Sequence, residues 1–239
     1  MDREHVLREP SASFAWWATL LLGMAPPLCV VYGLNGSWSW VAWGSFAWIA
    51  AVLLKMPSGW IVHLLLSAGP AWLSSMGLGL ISGIAELSIA AYLFASGPPG
   101  NNILREILAF TIGAGCTETL FVLGASLLSK PGDEKIDFWI KGARQSLCVQ
   151  HVLLVERVIA LSGHVGARGL VCVAVYGAVP WLAALAVVTF SLVDGLAAYG
   201  ESRNWNWFDP RTCHRFYGFC ASISVLEAVL FALASAILL

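Results

Sequence analysis

Residues 69–96 read GPAWLSSMGLGLISGIAELSIAAYLFAS, a stretch in which Glu86 is the single charged residue. A helix needs roughly 20 apolar residues to cross about 30 Å of hydrocarbon, so this run is long enough to span a bilayer. Working outward, similar runs lie at about 14–34, 38–54, 103–128, 147–177, 180–199 and 216–239. The pattern predicts an all-α, polytopic membrane helical bundle of about seven transmembrane helices. Residues 1–239 form a single integral membrane domain in this reading. Composition agrees, since 59% of the 239 residues are apolar and 11% are charged, against about a quarter charged in soluble domains.

The basic residues fall in every second gap between the runs. Arg3 and Arg8 precede the first run and Lys55 follows the second. Lys130, Lys135, Lys141 and Arg144 follow the fourth, and Arg203, Arg211 and Arg215 follow the sixth. Short loops rich in Lys and Arg stay in the cytoplasm. The expected orientation in an inner or plasma membrane is therefore N-terminus cytoplasmic and Leu239 on the opposite side. Arg105, at a helix end, can snorkel, whereas Arg157 and Arg168 lie within the fifth run. The length of the first run, its Pro26-Pro27 pair and the mixed charges from Asp2 to Glu9 favour a retained span over a cleaved signal peptide.

Membrane lipids are the partners that composition predicts. A net charge of −1 with no basic run excludes nucleic acid as the main partner, because phosphate binding needs a concentrated cationic surface. The six cysteines show no CxxC spacing and read as small buried hydrophobes, not as a disulfide framework. Trp38, Trp40, Trp43, Trp60, Trp139, Trp181, Trp205 and Trp207 sit near predicted interfaces, where amphipathic rings collect. The segment 129–145 reads as a turn at Lys130 to Lys135 followed by an interfacial stretch, and Glu201 to Arg215 as a second interfacial loop. Between the second and third runs, Pro57 to Ala68, with His63, reads as a half-helix too short to span.

Five acids fall inside the predicted hydrocarbon: Glu86, Glu118, Glu156, Asp194 and Glu227. An Asp at a helix centre costs about 2.5–3.5 kcal/mol on insertion scales, so such groups face the bundle interior or a wet cavity. His164 and His151 join them. Gly79 and Gly83 precede Glu86 by seven and three residues, on nearly one face. Ala114 and Gly115 stand similarly before Glu118. Ser162, Gly163, Gly166, Ala167 and Gly169 surround His164, with Arg157 and Arg168 on roughly its side. Close approach of the third, fourth and fifth helices would leave a small polar cavity near mid-membrane. Glu156 and Glu227 fit a helix-locking role equally well.

Four segments carry a resemblance: Gly83-Ile84-Ala85-Glu86, Gly113-Ala114-Gly115-Cys116-Thr117-Glu118, Glu156-Arg157 through Ser162-Gly163-His164, and Asp194-Gly195-Leu196-Ala197-Ala198. In this order they resemble the YhfC family of intramembrane metalloproteases, within the wider CAAX-protease-like group, over most of the chain. The resemblance implies a membrane peptidase that activates water with glutamate and histidine to cleave a membrane-associated peptide. It implies Glu86, Glu118, His164 and Asp194 as catalytic residues and His164, Asp194 and Cys116 as ligands of a divalent metal such as zinc. Arg157, Arg168 and Ser162 would contact substrate or the oxyanion. The chain departs from the family pattern where Leu87 follows Glu86, where Cys116 replaces a histidine, and where Phe190 opens the last motif. Those departures support an alternative: a catalytically degenerate scaffold whose polar pocket binds or stabilises a partner membrane protein. A proton relay is a third expectation, since intramembrane Glu and His residues also mark such pathways.

Overall fold

The computed structural model describes residues 10–66, 69–98, 102–128 and 133–239. Arg3, Arg8 and the Lys130 to Gly132 portion of the expected turn lie outside them. Helix α1 (Pro10–Leu28) continues into a π-helical turn at Cys29–Gly33. It is followed by α2 (Trp38–Leu66), α3 (Ala71–Ala95), α4 (Ile103–Leu128), α5 (Asp133–Ala143) and the single turn α6 (Leu147–Gln150). The chain then runs through α7 (Val152–Gly163), a second π-helical turn (His164–Arg168), α8 (Gly169–Gly177), α9 (Pro180–Ser202) and α10 (Pro210–Leu238). No strand occurs among the described residues. Among the described residues, seven helical stretches are long and apolar enough to cross a membrane, with α7, its π turn and α8 forming one of them. Helix is what hydrocarbon demands, because each backbone N–H and C=O must then find its partner within the same segment.

Two boundaries differ from the sequence reading. The second run does not stop near residue 54: α2 passes through Pro57 and reaches Leu66, so the expected half-helix is its continuation. A proline inside a membrane helix is tolerated where neighbouring groups re-satisfy the freed carbonyl. Lys55 is accordingly an interior residue of a span, not a loop charge. The last helix begins at Pro210, with Asp209 as its cap accepting the Thr212 backbone N–H at 2.9 Å. That bond holds the Asp209 carboxyl below the usual aspartate range. Much of the second interfacial loop is thus the first turns of α10.

The two ends of the bundle differ in charge. At one end Phe14 meets the His151 ring, and a side chain at Gly142 would run into the Phe208 carbonyl. Lys135, Lys141, Arg144, Arg203, Arg211 and Arg215 belong to the segments gathered there. At the other end the Trp40 ring closes on Gly97, and Trp40, Phe94 and Phe110 form an aromatic cluster. Asn102 and Glu106 cap α4 there, the Asn102 N–H donating to Glu106 Oε1 at 3.1 Å.

Small residues set the helix spacing. Added methyls at Gly79 and Gly83 would collide with Ser191 and Gly195 of α9, and one at Gly44 with the Phe110 carbonyl of α4. The Gly79/Gly83 face thus packs on α9, not on the fourth or fifth span, which displaces the expected three-helix cavity. We expect Gly79→Leu to destabilise the bundle by at least the roughly 1–3 kcal/mol typical of overpacking. Gly124, with nothing within 4 Å of its added methyl, should accept Ala within about 0.5 kcal/mol. Thermal unfolding of both variants in detergent checks the contrast.

Candidate functional site

Each charged residue at the centre is placed by a helix that has no other option for it. Glu86 projects from the middle of α3 and is 2% exposed. Its two carboxylate oxygens are taken by different cations: Lys55 Nζ of α2 donates to Oε1, and Arg168 Nη2 donates to Oε2. Arg168 is fully buried and bends back along its own helix, where its Nε–H donates to His164 Nδ1 at 2.9 Å. The π-helical turn at His164–Arg168 contains both residues. Such turns insert an extra residue into a helix and recur at functional sites.

The histidine tautomer follows from this contact. A guanidinium can only donate, so Nδ1 must accept and the ring proton belongs on Nε2, which lies 2.6 Å from Glu118 Oε2. Glu118, on α4, receives two further donors: Trp48 Nε1 at 2.9 Å and Arg157 Nη1 at 2.8 Å. Arg157 also donates through Nη2 to Glu156 Oε1 at 2.6 Å. At the other end of the chain of contacts, Lys55 Nζ lies 3.9 Å from Asp194 Oδ2, which accepts the Ser82 hydroxyl. Eight residues from five spans thus form one ladder, from Asp194 through Lys55, Glu86, Arg168, His164, Glu118 and Arg157 to Glu156.

The ladder borders a cavity of about 280 Å³, lined by Lys55, Glu86, Glu118, His164, Asp194, Ser224 and Glu227 among the apolar Trp48, Val52, Phe121, Val122, Ile159, Phe190 and Val193. Six of the seven spans contribute. Within it the acids are not equivalent. Glu86 is sealed by two cations with its side chain 3% exposed, whereas Asp194 is 33% exposed and its nearest cation is already bonded to Glu86. Glu227 accepts the Thr189 hydroxyl at 2.6 Å and has no cation within salt-bridge distance among the described residues. Asp194, which shares Lys55 with Glu86, and Glu227, which has no such cation, are therefore the cavity's least matched acids.

Glu86, Glu118, His164 and Asp194, expected to share a site, do line one cavity, and Arg157 and Arg168 stand behind its wall as partners of its carboxylates. Three expectations fail. Cys116 turns away from the cavity towards the Leu22 carbonyl of α1, 3.6 Å from its sulfur. Ser162 donates at 2.9 Å to its own helix at Val158, so its hydroxyl is not an oxyanion donor. His151 lies at the charged end, edge-on to Phe14, and does not line the cavity. The His63 side chain lies outside the described residues. Lys55 was missed, because Pro57 reads as the end of a span, and Glu227, counted among the intramembrane acids but left outside the site because it stands alone on its helix, also lines the cavity.

The expected metal set does not fit these residues. Both His164 nitrogens are engaged, Cys116 is turned to another helix, and no three His, Cys, Asp or Glu side chains are grouped to hold an ion among the described residues. A catalytic zinc site ordinarily brings three such ligands together around an open position. No step is routed through a metal here.

No family model, curated protein or solved structure matches this chain, so the site's own geometry carries the functional argument. Removing one partner of a buried pair leaves an uncompensated charge and costs about 3–5 kcal/mol. Glu86→Gln, which leaves the fully buried Arg168 without a carboxylate, should show a loss of that size. Glu156→Gln, at a carboxylate 41% exposed, should cost no more than about 1 kcal/mol. Equilibrium unfolding in mixed micelles distinguishes the two, and equal losses would contradict the ladder.

Proposed function

We propose that the chain is a membrane-embedded binding protein whose cavity receives one basic or hydrogen-bond-donating side chain from a partner transmembrane segment. The reading is the degenerate-scaffold alternative to the peptidase that the motifs resemble. The observation that supports it is the inequality of the acids. Glu86 and Glu118 are spent on Lys55, Arg168, Arg157, Trp48 and His164. A general base must instead come within about 2.6–3.2 Å of the heavy atom whose proton it takes, a range that cations already occupy at both carboxylates. Asp194 and Glu227 remain to attract a donor from outside. At about 280 Å³ the cavity lies just below the roughly 300–1,000 Å³ of ligand pockets, a size suited to one side chain.

A peptidase remains the second reading, favoured by the 2.6 Å contact of His164 with Glu118 on the cavity wall. The ladder gives no support to a proton relay. Arg168 and Arg157 interrupt it, and a guanidinium does not give up its proton in proteins. For orientation we propose the arrangement that puts the Lys- and Arg-rich end of the bundle in the cytoplasm of an inner or plasma membrane, with the N-terminus inside and Leu239 outside.

The test uses the full chain in lipid nanodiscs and synthetic transmembrane peptides with Lys or Leu at the centre. The Lys peptide should bind about tenfold tighter, a difference of ~1.4 kcal/mol, and the Asp194→Asn variant should lose that preference. Equal affinities would remove the binding reading. New peptide termini that appear with the native chain and vanish in His164→Ala would favour the hydrolase.

A further inference from the structure

Two of the six cysteines, 65 residues apart in sequence, meet at the charged end of the bundle. Cys148 Sγ on α6 lies 3.0 Å from Cys213 Sγ in the first turn of α10. Carbon atoms pack at about 3.5–4.0 Å, and sulfur is the larger atom, so this is closer than packing alone produces. A disulfide bond measures about 2.05 Å, leaving an approach of about 1 Å to complete. The surrounding contacts hold the two segments in place. Ser146 Oγ meets His214 Nε2 at 3.1 Å, Ser146 also caps α6 through the Val149 N–H, and Trp139 Nε1 donates to the Val149 carbonyl at 3.1 Å.

We infer that Cys148 and Cys213 form an intramolecular disulfide, a redox link that ties the α5–α6 segment to the start of α10. A shared soft metal ion is the rival chemistry. Two thiolates on one tetrahedral ion at about 2.3 Å each would stand about 3.8 Å apart. His214, the neighbouring imidazole, is turned to Ser146 instead. The inference is independent of the proposed cavity ligand.

The oxidant is a small disulfide such as oxidised glutathione, and the half-buried Cys148 is the thiol it can reach, since Cys213 is buried. Cys148 thiolate attacks one sulfur of the oxidant, forming a mixed disulfide and releasing one glutathione thiolate. Cys213, deprotonated in turn, attacks Cys148 Sγ and displaces the second. The two protons lost by the cysteines are taken up by the two leaving thiolates, so one disulfide is reduced as another forms. Closing the bond fixes α6 against α10, and the chain on either side, Val152 onward and Phe216 onward, lines a second cavity of about 400 Å³. In the proposed orientation this end faces a reducing compartment, where the pair rests as thiols and responds to oxidation.

The test equilibrates the full chain in nanodiscs with oxidised and reduced glutathione, alkylates free thiols and maps the digest by mass spectrometry. The expected product is one peptide pair joined through Cys148 and Cys213, lighter by two hydrogen atoms, with neither cysteine carrying glutathione. In Cys213→Ser, Cys148 should instead accumulate the glutathione adduct. In Cys148→Ser, Cys213 should remain alkylatable. Native chain in which both thiols stay alkylatable, in which the adduct on Cys148 persists beside free Cys213, or in which either joins a different cysteine overturns the inference. The native product alone decides if a serine variant does not fold.

Discussion

Glu86 held between Lys55 and Arg168 is the constraint on which the rest of the bundle depends. An ionised carboxylate in low dielectric is tolerated only when opposite charge and hydrogen bonds replace the water it has lost. Two cations from two other spans supply that replacement, one more than the carboxylate neutralises. Lys55 leans towards Asp194, while Arg168 turns its Nε donor to His164 and keeps Nη1 buried without a partner among the described residues. The consequence is a ladder of charged and hydrogen-bonded groups that fixes α2, α3, α4, α9 and the interrupted fifth span against one another. Apolar helices in lipid have little hydrophobic reason to choose a partner, and small-residue contacts and polar pairs decide instead.

Packing and polarity share one stripe of α3. Gly79 and Gly83 let its backbone lie against Ser191 and Gly195 of α9, and the same approach brings Asp194 within reach of Ser82 and Lys55. On the fifth span the π-helical turn serves the ladder, containing both His164 and Arg168, while Gly166 lets α10 approach with Glu227. The cavity is what remains where these rigid approaches leave room. Its polar wall is largely self-satisfied on the Glu86 and Glu118 side and open on the Asp194 and Glu227 side.

The fold was readable because hydrocarbon imposes length and apolarity on each spanning segment, and six of the seven runs needed only modest adjustment of their ends. The second misled because Pro57 signals a helix end in soluble proteins, a rule that weakens in a membrane. That one misreading also hid Lys55, which counted as a loop charge instead of the partner of Glu86. Glu86, Glu118, His164 and Asp194 stood out as expensive groups, yet the roles given to Cys116 and Ser162 rested on motif order. A linear pattern does not say which way a side chain turns about its helix.

What the amino-acid sequence by itself determined is the class of molecule: seven apolar spans, a basic end and a set of intramembrane charges that had to be paired. The cost of a charge in hydrocarbon is a property of each residue, so it can be read one residue at a time. Only the tertiary structure decided who pairs with whom. It assigned both Glu86 oxygens, set the tautomer of His164, left Asp194 and Glu227 without a full partner, and brought Cys148 to Cys213 across 65 residues. Pairing depends on helix rotation and spacing, which arise from contacts between spans and are written in no single one of them.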